Sequence, residues 1–111
     1  VAIDIDEFAF QIHNNAVEKG FWEPKYKEDQ VNQILAKMML IDTEVSELAD
    51  AYVKQKGSEE IKNEAADIII RLLDLLAAMN RYEIISGSIL ETLVKKVEFN
   101  KTRPAKHNRL M

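Results

Sequence analysis

Glu44-Val45-Ser46-Glu47 and Glu64-Ala65-Ala66-Asp67 each place two carboxylates three residues apart. On a helix that spacing puts both side chains on one face, about 60° from one another. Like charges so close repel, and they need either full solvation or a cation. If the two segments pair as an antiparallel hairpin, one register sets Glu47 opposite Glu64 and Glu44 opposite Asp67, with a midpoint beside Gly57. Four acids at one level of a partly apolar hairpin raise one another's pKa values unless a cation neutralises them. Oxygen donors without His or Cys suit Mg²⁺ or Mn²⁺ rather than zinc. Mg²⁺ usually keeps several waters and takes further ligands from phosphates, so such a site reads as phosphate chemistry. The competing reading is a pair of solvated acidic helix faces, which are common.

Other catalytic arrangements are largely excluded by composition. The 111 residues include no Cys and only three Gly, at positions 20, 57 and 87. Disulfides, thiolate metal sites, Walker loops and GxGxxG turns are therefore absent. The two histidines, His13 and His107, cannot form an HExxH helix. The net charge of −4 is unevenly placed: Lys95, Lys96, Lys101, Arg103, Lys106 and Arg109 face only Glu98 in the segment 95–111. A basic C-terminal segment on an acidic body predicts either an anionic ligand there or a solvated tail. The acidic body argues against a nucleic-acid partner. Acids near the start replace the bases of a signal peptide, and no apolar run reaches the roughly 18 residues of a membrane span. The expectation is a soluble, cytoplasmic protein.

The elements that must position these groups are helices. Asp4 and Glu7 form a capping box for a first helix that runs to about Lys19 and stops at Gly20. A second runs from about Gln30 to Lys56, with Gly57 as its left-handed cap. Ser58 caps a third that continues to about Asn80, and Ser88 and Glu91 open a fourth that runs to about Asn100. In the third helix Glu60, Asn63, Glu64, Asp67, Arg71 and Asp74 occupy an arc of about 100°, while apolar residues spread over roughly 220°. One partner helix cannot cover that arc. The sequence thus predicts a single all-α domain over residues 1–111. Its architecture is a four-helix bundle-like subunit with a central antiparallel hairpin, assembled as a homo-oligomer, a homodimer or homotetramer. Met38, Met39 and Met79 are expected in the core or at the subunit interface.

With these motifs in place, the chain resembles the MazG-like branch of the all-α nucleotide pyrophosphohydrolases. The likeness lies in His13 to Trp22, Leu40 to Leu48 around the ExxE pair, Glu64 to Ile68 around ExxD, and the basic run through Lys96, Asn100, Lys101, Arg103, Pro104 and His107. Thr43 stands where many members have a further Glu, and Ala105 where an aromatic is usual. The resemblance implies Mg²⁺-dependent hydrolysis of a nucleoside triphosphate to the monophosphate and pyrophosphate, in nucleotide-pool house-cleaning. It implies Glu44, Glu47, Glu64 and Asp67 as metal ligands, with Glu47 also the candidate proton acceptor. Lys96, Asn100, Lys101 and Arg103 are then candidate phosphate contacts. His13, Asn15 and Trp22 are candidates for the base, with a core Trp as the other reading of Trp22. Phosphoribosyl-ATP pyrophosphohydrolase chemistry and a non-catalytic dimerising helical module are the alternatives.

Overall fold

The computed structural model describes residues 2–22 and 27–104, which form four helices and, among the described residues, no strand. These are α1 (Ile5–Glu18), α2 (Lys27–Val53), α3 (Ser58–Arg81) and α4 (Ile89–Thr102). The all-α expectation holds. No helix among the described residues is long and apolar enough to cross a membrane. Ala105, Lys106, His107 and Arg109 lie outside the described residues.

Local chemistry accounts for most of the boundaries. The Asp4 carboxylate accepts from the backbone N–H of Asp6 at 2.9 Å and of Glu7 at 3.4 Å, satisfying first-turn donors of α1. At the other end the Phe21 amide returns to the Ala16 carbonyl at 3.0 Å, with Gly20 left-handed at φ 81°. The hairpin turn departs from expectation. α2 is shifted to Lys27–Val53, and Gln55, not Gly57, takes the left-handed position at φ 53°. It is held there by the closing bond from the Lys56 amide to the Ala51 carbonyl, 3.0 Å long. Gly57, at φ 97° and ψ 167°, is instead the residue before α3, in a region essentially open only to glycine. Ser58 therefore begins α3 rather than capping it, and no side chain caps that end.

α2 and α3 form the central antiparallel hairpin, and α1 lies along α3. Trp22, Ile34, Leu75 and Ala78 are the buried centre, enclosed by Ala16, Val17, Ile41, Met79 and Tyr82. α1, α2, α3 and the loop after α1 thus share one core. α4 joins this body mainly through α1. The Asp6 carboxylate accepts from the Ser88 hydroxyl at 2.6 Å and from the Ile89 amide at 2.6 Å, while Ser88 Oγ accepts from the Glu91 amide at 3.0 Å. The expected Ser88 cap is present, with an acid from α1 added to it.

Much apolar surface stays open. Leu90, Leu93, Val94 and Val97 form an exposed row on α4, and Ile69, Ile70 and Leu72 of α3 and Val31, Leu35, Met38, Met39 and Val45 of α2 are exposed as well. Met79 packs against the core, so only one of the three methionines is interior. The chain exposes 8734 Å². A compact monomer of its mass would expose about 6300 Å².

Candidate functional site

The hairpin brings Glu44, Glu47 and Glu64 together: one carboxylate oxygen from each lies within 4.8 Å of the others. Glu44 is only 8% exposed. Its Oε1 accepts from Arg71 Nε at 3.0 Å, whereas its Oε2 is enclosed without any hydrogen-bond partner. Glu64 Oε2 is likewise enclosed and unpartnered. Burial raises the Glu64 carboxyl above the ordinary carboxylate range, and the Glu47 charge, a hydrogen bond with Glu60 and the charges of Glu60 and Asp67 push the same way. Glu47 stands at the exposed edge of the group.

The fourth expected ligand is not in this group. Asp67 is exposed and outside the 4.8 Å cluster, and Glu60, one turn towards the start of α3, is the acid bonded to Glu64. Arg71 is the base that meets this group. It binds Glu44 Oε1 at 3.0 Å from the turn beyond Asp67, while Glu47 and Glu64 stay together in the cluster. Lys54 pairs with Asp50 at 3.2 Å, so among the described residues Arg71 is the base paired with these acids.

Further along the hairpin a second polar group lies under the aromatic loop. Asp74 accepts from His13 Nδ1 at 2.8 Å and from Trp22 Nε1 at 2.9 and 3.0 Å. His13 and Trp22 are 2% and 3% exposed, and Trp22 meets His13 and Tyr82 edge to face. Of the two readings of Trp22, the geometry is that of the core residue: its indole has no open face for a base. His13 is likewise enclosed, and Arg81 Nη1 approaches its Nε2 at 3.4 Å. Asn15 is exposed on α1 and makes no side-chain bond with this group. Lys37 lies over the Trp22 ring with Nζ 4.9 Å from its centroid, and 5.8 Å from that of Phe21.

The candidate phosphate contacts are not brought to the acids within the chain. Lys101 pairs with Glu98 at 3.1 Å, and Lys96 and Arg103 lie 5.2 and 6.0 Å from the Phe99 ring centroid. Asn100 Oδ1 is enclosed without a partner. Among the described residues no hydrogen bond or ion pair links α4 to Glu44, Glu47 or Glu64.

Sequence reasoning missed Glu60, Asp74 and Lys37. A signal for the last two was available, because the register that pairs Glu47 with Glu64 also sets Lys37 level with Asp74. Compared with known proteins, the chain matches no family model, no curated protein and no solved structure.

Proposed function

We propose that the chain is a Mg²⁺- or Mn²⁺-dependent nucleoside triphosphate pyrophosphohydrolase, splitting (d)NTP and water into (d)NMP and pyrophosphate, in cytoplasmic nucleotide-pool house-cleaning. The observation that carries this reading is the enclosed, unpartnered Oε2 of Glu44 beside Glu47 and Glu64. A buried carboxylate oxygen left without a donor is costly, and an all-oxygen cluster of three acids is a donor set that hard divalent cations satisfy. Bound there, such a cation would supply charge neutralisation for the phosphates and a more acidic water. Arg71 fixes the Glu44 carboxylate through Oε1 and leaves Oε2 without a donor. Glu47, at the solvent edge, takes the proton of the attacking water. Asp67, one turn along α3, is available to the outer side of the same site.

The reading includes a second copy of the chain, supported by the exposed rows on α2, α3 and α4. Since α4 packs mainly on α1, its Lys96, Asn100, Lys101 and Arg103 reach a triphosphate from a neighbouring copy rather than from their own chain. Arg offers a bidentate fork to phosphate and Lys a point charge.

Each common NTP and dNTP incubated with and without Mg²⁺, with products separated chromatographically, should yield the monophosphate and pyrophosphate only with metal. Glu44→Gln and Glu47→Gln should abolish turnover while retaining helical content. Light scattering should give at least twice the 12.8 kDa chain mass. No turnover together with no calorimetric Mg²⁺ binding would replace the enzyme with a non-catalytic dimerising module, and a stable monomer would remove the neighbouring copy from the site.

A further inference from the structure

Lys37 has no role in the acidic cluster, yet it lies on the same face of α2. It precedes Glu44 by two helical turns, about 10 Å along the axis. That offset is the reach of one nucleotide: with the phosphates at Glu44, Glu47 and Glu64, the base falls at the level of Lys37, Asp74 and Trp22. The ammonium is half-buried, and burial pushes its pKa down against the raising effect of the Asp74 charge. No carboxylate lies within ion-pair distance of it among the described residues. Asp74, which faces it, has its oxygens committed to His13 and Trp22, and Arg71 adds a second positive charge nearby. The Lys37 ammonium rests over the faces of Trp22 and Phe21. A half-buried cation held on aromatic faces, one nucleotide's reach from the acids, is a donor without an acceptor.

We infer that Lys37 reads the nucleobase in the proposed site and selects bases that carry a carbonyl at purine C6 or pyrimidine C4. An ammonium has three donors and no acceptor. A carbonyl at those positions accepts from it. The exocyclic amine that adenine and cytosine carry there meets it donor to donor. Guanine, uracil and thymine nucleotides are therefore the favoured class. Trp22 serves this selection from beneath: anchored by Asp74, its ring fixes where the Lys37 ammonium rests.

This inference rests on the nucleotide reading, and one experiment separates the two. kcat/KM is measured for dGTP, dTTP, dATP and dCTP on the wild-type protein, Lys37→Met and Lys37→Arg, with melting curves to confirm folding. The wild type should favour dGTP and dTTP by about tenfold or more, since a site built to hydrogen-bond one group discriminates strongly against its replacement. Lys37→Met should reduce the preference to within about threefold by losing rate on dGTP and dTTP, and Lys37→Arg, also donor-only, should retain it. In parallel, a non-hydrolysable dGTP analogue with Mg²⁺ should change the emission of Trp22, the chain's only Trp, as the ammonium leaves its ring. The dATP analogue should do so less, and Lys37→Met should abolish the difference. Equal wild-type rates on all four nucleotides, or a uniform loss across them in Lys37→Met, overturns the role of Lys37 while leaving the enzyme reading intact. No turnover and no emission change with any nucleotide overturns both.

Discussion

Two polar groups about 10 to 15 Å apart along the hairpin behave in opposite ways. At the aromatic level, Asp74 receives the His13 and Trp22 N–H groups at 2.8 to 3.0 Å, so its charge is matched by donors and the group is finished as architecture. At the acidic level, Glu44 is comparably enclosed but one of its oxygens has no donor, and Glu47 and Glu64 add like charge instead of relief. Burial of a charged group does not separate function from structure. What separates them is whether its hydrogen-bonding capacity is filled by the chain itself. On that criterion the acids keep capacity the chain does not fill, the aspartate does not, and Lys37 belongs with the acids although it lies at the aromatic level.

The largest effect that tests this contrast is Trp22→Ala. Truncating a buried Trp should cost about 3–5 kcal/mol, read as a lower midpoint in urea denaturation followed by circular dichroism. A variant of unchanged stability would move Trp22 to the ligand side of the comparison. Asp74→Asn should cost less, about 1–3 kcal/mol, because an amide oxygen can still accept one bond but the charge that assists both is gone. A melting temperature equal to the wild type would show that Asp74 does not hold the aromatic level together.

At the acidic level the sign reverses. Glu64→Gln should leave the metal-free protein as stable or more stable at neutral pH, and should remove the rise in melting temperature expected of the wild type with Mg²⁺. If the variant retains that rise, Glu64 is not a ligand. The smallest effect is in the pH profile. Glu64 binds its proton more tightly folded than unfolded, so its contribution grows as pH falls towards the ordinary value and is lost as pH rises through the raised one. Asp6, held low by the Ser88 hydroxyl and the Ile89 amide, runs the other way: its stabilisation is present above its ordinary value and is lost as pH falls through the depressed one. Melting curves between about pH 8 and 2 should differ in slope from the wild type at opposite ends of the range, Glu64→Gln above the ordinary carboxylate value and Asp6→Asn below it.

Local sequence determined the helices and half of the site. The Asp4 and Ser88 caps, the glycine stop at Gly20 and the three-residue spacing of the acids are short-range features, and that periodicity marks out four helices and, once two of them pair antiparallel, sets Glu47 opposite Glu64. Only tertiary structure decided which polar atoms found partners. Arg71 reaches Glu44 across 27 residues, and Asp67 lies outside the cluster. His13 and Trp22 reach Asp74 across 61 and 52 residues, turning two candidate base contacts into core. The turn itself was settled by backbone geometry that composition does not reveal, with Gln55 accepting the left-handed position and Gly57 the one beyond it. Periodicity assigns residues to faces, but a face holds several competing donors and acceptors. The pairing among them is fixed by distances across the packed helices, which the one-dimensional pattern does not contain.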